Sequence, residues 1–386
     1  MGLDGFLSFV RQKYPNVITE DHISKYANQF VFFDIASYMY KYICIFGSED
    51  GRWLNAMLNL FLLFKNNKLN IITVFDGKPP EQKKDEISER KEKRNKIKEK
   101  IKSLETCIQK YNNEEEFTKE EIELLKEILK KIADKMVTTK LKKLLSFSRP
   151  TQPEPGTNFP EPEHEQFKLD DKDAEDIRNY ISSLEKQMVY IGEKDQVHLK
   201  DLLHILGIPF VVSPSESEGY CCSMIKQGLG SAIISCDSDC FSHGAHEVVL
   251  SIDVQSGMIT YANLDELLSS MELTQFQFID FGILIGCDYN KKNKLPKVGP
   301  VKALDLIKRY GSIDNIEGYD ISILKHEEIR KLFNLEYPPM KKIKQRQIDE
   351  HALYAFIDEH NLKVGYDRIK QAVVKTKEKL ELVFEE

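Results

Sequence analysis

The chain has 386 residues, of which 41% are hydrophobic, and a formal net charge of −7. This length predicts two or three domains, or one large domain with insertions. The longest apolar stretch, residues 59–64, is far shorter than the roughly 18 residues of a membrane span, and the N-terminus lacks the basic flank and apolar run of a signal peptide. We therefore expect an intracellular protein with no membrane partner. Seven cysteines in apolar contexts favour reduced thiols over a disulfide framework.

Two apolar runs near the N-terminus each end in aspartate. Residues 30–34 and 71–76 have the continuous hydrophobic pattern of buried parallel strands, and the apolar segment 53–64 between them predicts a helix. Between residues 81 and 145 Lys, Glu, Ile and Leu dominate, with apolar residues at helical spacing. This pattern predicts a long charged helical segment, with a hairpin break near residues 111–113.

The negative charge of the chain is concentrated in one segment. Residues 150–176 contain nine acids, two bases and five prolines, with few large apolar side chains. This composition predicts an extended or disordered linker. The α/β pattern then resumes with predicted strands at 208–212, 232–235 and 248–251, and it becomes helical from residue 264 onward. We therefore predict an α/β fold, in which a mostly parallel central sheet is flanked by helices and interrupted by a large insertion.

Seven carboxylates follow predicted strands or begin predicted helices of this sheet. They are Asp34, Asp76, Glu216, Glu218, Asp237, Asp239 and Asp288. Taken singly, each also fits a turn or helix-cap residue, and Ser215 with Glu218 fits a capping box. Taken together, they are expected to converge, because open α/β sheets place their chemistry at the carboxyl ends of the strands.

A cluster of this density requires divalent cations or raised pKa values. Two carboxylates about 4 Å apart repel by roughly 4 kcal/mol at an effective dielectric constant near 20. Oxygen ligands favour Mg²⁺ or Mn²⁺ over zinc, and the cysteines near the cluster lack the paired spacing of a zinc site. The chemistry that matches is two-metal phosphodiester hydrolysis.

Short motifs at these positions occur in the order found in flap endonucleases. They are residues 1–6, 33–34, 74–80, 214–218, 236–240, 286–289 and 298–304. The chain therefore resembles the XPG-type structure-specific 5′ nucleases over roughly residues 1–100 and 195–385. The resemblance implies a PIN-like 5′ nuclease fold with a helical arch insertion and a helix–two-turn–helix element that binds DNA.

The resemblance also implies a cofactor and a substrate. The seven carboxylates would bind two Mg²⁺ ions, for which Mn²⁺ can substitute. Asp34, Asp76, Glu216 and Glu218 would lie nearer one ion, and Asp237, Asp239 and Asp288 nearer the other. The expected partner is branched DNA with a 5′ flap or a nick. The expected protein is a monomeric flap endonuclease and 5′→3′ exonuclease at sites of DNA replication or repair, in a nucleus or a viral replication site.

Further residues receive roles from the same resemblance. Gly2 would lie near the active site, and Tyr40 would stack on a base beside the scissile phosphate, a contact typically worth about 1–3 kcal/mol. Lys83 and Arg90 match basic residues at the base of the arch, where they would be catalytic by offsetting the developing charge of the phosphate. Asp237 is also expected to be catalytic, as one of the metal-binding carboxylates. Without the resemblance, Tyr40 fits core packing, and the two basic residues fit a charged surface helix.

The segment around residues 297–310 resembles the helix–two-turn–helix element. Gly299 permits a tight turn, amide groups at the helix start face phosphate oxygens, and Lys297, Lys302 and Lys308 add charge that is independent of DNA sequence. A K⁺ ion held by backbone carbonyls near residues 297–298 is a further expectation from the family.

The expected division of the chain has six parts. They are the N-terminal part of the nuclease core (1–80), the helical arch or insertion (81–149), the acidic linker (150–176), the internal part of the core (177–290), the helix–two-turn–helix region (291–335) and a C-terminal helical region (336–386). The stretch around residues 47–51, where the family forms a pocket for a 3′ flap, is short, and the arch insertion is long. These differences leave open that the chain is a viral or protist member of the family. Residues 379–386 lack a sliding-clamp peptide.

Two alternatives stay open from the sequence. One is a 5′→3′ exonuclease that acts on RNA, which shares the acidic sheet, and the other is a non-catalytic scaffold that binds DNA junctions. The intact set of seven acids weighs against the scaffold, because a scaffold gains nothing from crowding carboxylates. Apart from the linker and these acids the chain has an excess of basic residues, which predicts DNA binding that weakens as salt is added.

Overall fold

The computed structural model describes residues 2–47, 51–145, 167–188, 190–340 and 346–377. The predictions for residues 48–50 of the 3′ flap pocket, for 150–166 of the linker and for 379–386 at the C-terminus lie outside these ranges. The described chain divides into two compact units, Met1–Glu89 with Tyr190–Glu386 (unit 1) and Arg90–Val189 (unit 2). Within the described ranges, no helix combines the length and apolar character needed to cross a bilayer.

Unit 1 contains a seven-stranded mixed sheet. Its strands are β1 (Ile18–His22), β2 (Phe30–Asp34), β3 (Asn70–Phe75), β4 (Phe210–Val212), β5 (Ala232–Ile234), β6 (Glu247–Ile252) and β7 (Met258–Asn263). Their order across the sheet is β1-β7-β6-β5-β2-β3-β4. The strands from β6 to β4 are parallel to their neighbours, whereas β7 is antiparallel to both β6 and β1. The predicted α/β fold with a mostly parallel sheet is therefore confirmed.

The central strands are buried on both faces, which explains their continuous apolar sequence. Phe32, Phe33, Ile72 and Ile233 are fully buried, because helices cover both faces of the sheet. In the register of the sheet, Phe33 of β2 pairs with Thr73 of β3 and with Ile234 of β5. The carboxyl ends of these three neighbouring strands therefore meet at one edge.

Helices surround this sheet and extend from it. In unit 1 they are α1 (Phe6–Lys13), α2 (Ile35–Phe46), α3 (Arg52–Asn66), α7 (Glu193–Ile205), α8 (Ser217–Lys226), α9 (Asp239–Ser242), α10 (Leu264–Met271), α11 (Gln275–Ile285), α12 (Pro300–Tyr310), α13 (His326–Phe333), α14 (Glu350–Glu359) and α15 (Tyr366–Lys377). Helix α4 (Lys84–Asn112) begins in unit 1 and continues into unit 2, which also contains α5 (Lys119–Leu145) and α6 (Asp171–Glu185).

Unit 2 has a hydrophobic core of its own. Leu104 and Cys107 of α4, Leu125 of α5, and Ala174 and Ile177 of α6 are fully buried in one cluster. The predicted hairpin is present, because α4 ends at Asn112 and α5 begins at Lys119. The insertion is therefore a packed three-helix unit.

The predicted C-terminal boundary of the acidic linker is wrong. Residues 171–185 form helix α6, and Asp170 is its N-cap, accepting a hydrogen bond from the amide of Asp173 (2.7 Å). The Tyr111 hydroxyl donates to Asp171 Oδ1 (2.6 Å), which ties the start of the helix to α4. Acidic residues are favourable at a helix N-terminus, so the local negative charge marks a helix start. The boundary predicted after residue 176 falls inside this helix, and unit 1 resumes at residue 190.

Candidate active site

Three of the seven carboxylates follow the neighbouring strands β2, β3 and β5. Asp34 ends β2, Asp76 comes directly after β3, and Asp237 follows β5 by three residues. Strand β2 lies between β3 and β5 in the sheet. From β2 the chain adds β3 and β4 on one side, and it later adds β5 on the other side of β2, so the strand order reverses here. Ligand sites of open α/β sheets lie at such switch points. The sheet topology therefore brings these three carboxylates together.

Glu216 and Glu218 join this group at the start of α8. The backbone amide of Ser217 donates to Asp76 Oδ1 (2.9 Å), and its hydroxyl donates to Asp34 Oδ1 (2.7 Å). The capping box considered for Ser215 and Glu218 does not form, because α8 begins at Ser217 with Glu216 as its N-cap. The helix start is capped instead by a carboxylate from the sheet.

Asp237, Asp239 and Asp288 also belong to this group. The amide of Asp239 donates to Asp237 Oδ1 (3.0 Å), so a tight turn at the start of α9 holds these two carboxylates together. Asp288 follows α11, in a turn where Asn290 Oδ1 accepts a hydrogen bond from the Cys287 amide (2.9 Å). All three aspartates are buried.

Burial and neighbouring negative charges raise the pKa of several of these carboxyl groups. Burial and the charge of Asp76 raise the pKa of Asp34 to about 6. Burial and the charge of Asp34 hold the pKa of Glu218 well above its ordinary value, and burial with the charges of Asp237 and Asp288 does the same for Asp239. The cluster is therefore under electrostatic repulsion that a cation would relieve.

Lys83 supplies a positive charge within this group. Its ammonium group donates to Glu216 Oε1 and lies 3.3 Å from Asp288 Oδ2, and only 15% of its side chain is exposed. The prediction placed Lys83 at the site, and the structure brings it into direct contact with two of the carboxylates. Arg90 is the first residue of unit 2 on helix α4, and its predicted role stays a prediction.

The residues of the cluster fit divalent cations. The negatively charged atoms of the cluster that could coordinate a metal ion are all carboxylate oxygens, the ligand type that Mg²⁺ and Mn²⁺ prefer. Asp239 Oδ1 is buried and has no hydrogen-bond partner among the described residues, although buried polar oxygens are normally paired. A bound cation would satisfy this oxygen, so the geometry is compatible with the predicted metal site.

A second group of ligand-type side chains lies elsewhere in unit 1. Single oxygen or nitrogen atoms of Asp314, His326 and Glu327 lie within 4.8 Å of one another. The guanidinium of Arg330 donates to Asp314 Oδ2 (2.8 Å), so the charge of this aspartate is already compensated by the protein. This group is an ion-pair network, and the predicted metal site is still that of the seven carboxylates.

Gly2 packs against the cluster, as predicted from the resemblance. A Cβ atom at this position would lie 2.0 Å from Asp237 Oδ1 and 2.7 Å from the Ser238 hydroxyl. The next amide, of Leu3, donates to that hydroxyl (2.9 Å) and fixes the segment. Glycine is therefore required here by space, and its φ of +81° adds a conformational reason.

Replacing Gly2 by alanine is expected to weaken the apparent Mg²⁺ affinity about 10- to 100-fold, because the new methyl group displaces the carboxylate of Asp237. The measurement is the initial rate of DNA cleavage against Mg²⁺ concentration. Gly5→Ala is the matched control: Gly5 also has a positive φ, but its Cβ would meet only Pro300 Cγ, at 3.7 Å. Equal Mg²⁺ requirements of the two variants would contradict the steric argument.

Tyr40 differs from its two aromatic neighbours in the same helix. Tyr38 and Tyr42 are buried, whereas 38% of Tyr40 is exposed. The alternative that Tyr40 is a core residue is therefore wrong. Tyr40 lies on α2, the helix that begins directly after Asp34, and its base-stacking role stays a prediction.

The predicted DNA-binding segment contains helix α12. It begins at Pro300, with Gly299 as its N-cap. Lys297 and Lys302 are exposed, and the Lys302 ammonium lies 5.3 Å from the centre of the Tyr319 ring. Lys308 contacts Glu272, so part of its charge is compensated within the protein. The roles of these residues and the K⁺ site stay predictions.

Several residues that orient the carboxylates were missed by sequence reasoning. The Ser235 hydroxyl donates to Asp34 Oδ2 (2.7 Å), and the Tyr289 hydroxyl donates to Glu216 Oε2 (2.6 Å). Ser217 holds the other oxygen of Asp34, so both oxygens of this buried carboxylate accept hydrogen bonds. Each of these residues lies within two positions of a predicted ligand, and that adjacency was the available signal.

A mixed sheet with carboxylates gathered at the carboxyl ends of its parallel strands defines a PIN-like α/β nuclease fold. Family comparison matches residues 1–97 to the XPG N-terminal domain and residues 207–288 to the XPG I-region. The chain is therefore similar to the XPG-type flap endonucleases in both of these regions. The two matched regions contain all seven carboxylates between them.

Individual relatives agree with this similarity. The chain is 28% identical to the probable RAD2-like endonuclease 369L of Invertebrate iridescent virus 6, over 86% of this chain and 79% of that protein. It is 25% identical to flap endonuclease 1 of Leishmania infantum, over 97% of this chain and 84% of that protein.

Solved structures share the fold at low sequence identity. The catalytic core of Rad2 in complex with a DNA substrate matches with a TM-score of 0.58 and 14% identity, over 97% of this chain and 99% of that one. Flap endonuclease-1 from Methanococcus jannaschii matches with a TM-score of 0.55 and 20% identity, over 94% of this chain and 97% of that one. At these identities the likeness concerns the fold.

Proposed function

We propose that the protein is a structure-specific 5′ nuclease that hydrolyses phosphodiester bonds of branched DNA, as a 5′ flap endonuclease and 5′→3′ exonuclease. The observation that supports this most directly is the convergence of seven carboxylates at one edge of the sheet, in a chain with both XPG regions. The named relatives are flap and RAD2-like endonucleases, and the Rad2 core is described with a DNA substrate. The proposed setting is DNA replication, repair or recombination.

Divalent cations bound by the carboxylates would lower the pKa of a water molecule and stabilise the leaving 3′ oxygen. The protein's own groups orient and compensate charge around them. Two serine hydroxyls fix both oxygens of Asp34, and the Tyr289 hydroxyl fixes Glu216. Lys83 is held among the carboxylates, where its ammonium group can offset negative charge that develops on the phosphate. Arg90 is proposed to assist it from helix α4.

The proposed DNA contacts lie on exposed groups of unit 1. The ring of Tyr40 stacks on a base near the scissile phosphate, while Lys297 and Lys302 bind backbone phosphates at the start of α12. Such contacts are insensitive to base sequence, so the shape of the junction determines where the strand is cut. A structure-specific activity requires this division between positioning and chemistry.

The test is a panel of labelled flap, nicked and single-stranded substrates, each made with a DNA or an RNA 5′ end. We expect cleavage of DNA flaps with Mg²⁺, none with EDTA, and none by Asp237→Asn protein. Product lengths mapped to the nucleotide distinguish cutting at the junction from stepwise removal of nucleotides. Cleavage restricted to RNA ends would favour the 5′→3′ RNA exonuclease, and binding of junctions without cleavage would favour the scaffold; either result overturns the proposal.

Adding Mg²⁺ is expected to raise the melting temperature of the protein in the absence of DNA. A ligand that binds only the folded state stabilises by about 2.7 kcal/mol at 100 times its Kd. Thermal melting in a MgCl₂ series, with KCl at matched ionic strength as the control, measures this effect. An identical response to both salts would count against a functional metal site.

A further inference from the structure

The loop between Asp288 and helix α12 has an unusual charge. Together with the first residues of α12, that is over residues 289–304, it contains five lysines and no acidic residue. Two of these lysines, Lys297 and Lys302, belong to the predicted DNA-binding segment. The other three, Lys291, Lys292 and Lys294, occupy the turn directly after the carboxylate cluster and have no role in the function proposed above.

The loop is fixed at several points by the protein. The Lys292 ammonium lies 3.8 Å from Glu89 Oε1, and Lys294 contacts Asp4 Oδ2. Leu295 is buried, and the Asn293 amide donates to the carbonyl of Asn290 (2.8 Å). Lys292 and Lys294 therefore hold the loop through carboxylates that lie outside the cluster of seven.

Lys291 is different because its partner is one of the seven carboxylates. Its ammonium lies 3.7 Å from Asp288 Oδ1, while Lys83 lies 3.3 Å from the other oxygen, Oδ2. The side chain of Lys291 is 31% exposed, twice the 15% of Lys83. Lys83 thus approaches Asp288 from within the protein, whereas Lys291 approaches it from the solvent side, where a DNA strand would enter.

We infer that Lys291 binds a backbone phosphate of the DNA strand at the cluster. This inference rests on the proposed function. When Asp288 shares its charge with a cation, its attraction for Lys291 falls, and the four-carbon stem allows the ammonium group to turn toward a phosphate oxygen. The partly exposed side chain and the fixed loop give this lysine a short path to the substrate.

The experiment measures DNA binding without cleavage. Fluorescence anisotropy gives the Kd of a labelled nicked duplex at several KCl concentrations, with CaCl₂ in place of MgCl₂ and, separately, with EDTA. With Ca²⁺, Lys291→Ala is expected to weaken binding about tenfold and to reduce the slope of log K against log [KCl] by about 1, the share of one phosphate contact. With EDTA the difference from wild type is expected to shrink, because Lys291 then stays with Asp288.

Two further variants serve as controls. Lys291→Arg keeps the charge and is expected to restore the salt slope, whereas Lys370→Ala removes an exposed lysine of α15 and is expected to leave it unchanged. An unchanged slope in Lys291→Ala, at a melting temperature equal to that of wild type, overturns the inference. A lower cleavage rate with the slope unchanged also overturns it, because Lys291 would then act only through Asp288. Failure of the wild type to cleave any DNA with Mg²⁺ contradicts the proposed function separately.

Discussion

Asp239→Asn protein is expected to cleave DNA about 10³-fold more slowly than wild type while remaining at least as stable when no divalent cation is present. Asp239 is buried, and its Oδ1 has no hydrogen-bond partner among the described residues, which suits a metal ligand. Loss of about 4 kcal/mol of charge stabilisation in the transition state corresponds to about three orders of magnitude in rate.

The stability of this variant follows from the sign of the pKa shift. Burial and the charges of Asp237 and Asp288 raise the pKa of Asp239 in the folded protein. A carboxyl group with a raised folded-state pKa binds its proton more tightly in the folded chain, so its contribution to stability falls as pH rises above its ordinary value. Asparagine has no charge to repel, so at neutral pH the substitution removes this destabilising contribution.

The measurements are single-turnover cleavage of a DNA flap and thermal melting in EDTA. Asp358→Asn is the control, because this substitution removes the same charge from unit 1 at a residue that is exposed on α14. We expect wild-type cleavage from the control. A large fall in the melting temperature of Asp239→Asn would show that the carboxylate is structural, and normal cleavage would remove it from the metal site.

The parts of the fold that were predicted correctly are those with a continuous apolar pattern. Strands β2 and β3 are buried on both faces, so their sequences could be identified without knowledge of their partners. Strands β1 and β7 were missed because β1 has the sequence ITEDH, is partly exposed, and pairs only with β7. Their formation depends on pairing between residues that are distant in the sequence, and local patterns do not record such pairing.

The candidate site was predictable to the extent that strand ends mark it. Asp34, Asp76 and Asp237 each follow an apolar run, so the sheet topology alone brings them together. Ser217 and Ser235 lie within two positions of predicted ligands, but this adjacency does not indicate that their hydroxyls bind Asp34. Side-chain hydrogen bonds within a site depend on tertiary geometry at the scale of an ångström, which spacing along the chain does not specify.

The second large effect is expected in the helical region that contains the predicted DNA-binding segment. Replacing Arg330 by alanine is expected to destabilise unit 1 by about 3–5 kcal/mol, because it leaves the fully buried Asp280 without its ionic partner. Arg330 Nε and Nη2 donate to the two oxygens of Asp280, each at 2.7 Å, and the guanidinium lies 4.7 Å from the centre of the Phe276 ring. This bidentate contact joins α13 to α11.

The remaining contacts of this network extend the effect beyond one pair. Arg330 also donates to Asp314 Oδ2 (2.8 Å), and the amide of Ile313 donates to Asp280 Oδ2 (2.9 Å). The guanidinium holds the pKa of Asp314 below its ordinary value. Without Arg330, the turn at residues 313–315 loses its ionic anchor on α13, and this turn directly follows α12. DNA affinity is therefore expected to fall together with stability.

Thermal melting is expected to show a decrease of roughly 5–10 °C for Arg330→Ala, given the unfolding entropy of a unit of this size. Lys331 is the next residue on α13, and its side chain is exposed. Lys331→Ala is therefore expected to change the free energy of unfolding by no more than about 0.5 kcal/mol. Adding Asp280→Ala to Arg330→Ala removes the unpaired buried charge, so the double variant is expected to be more stable than the sum of the two single effects predicts. Equal melting temperatures for the Arg330 and Lys331 variants would mean that water reaches Asp280, because a carboxylate that remains buried cannot lose its partner without a large cost.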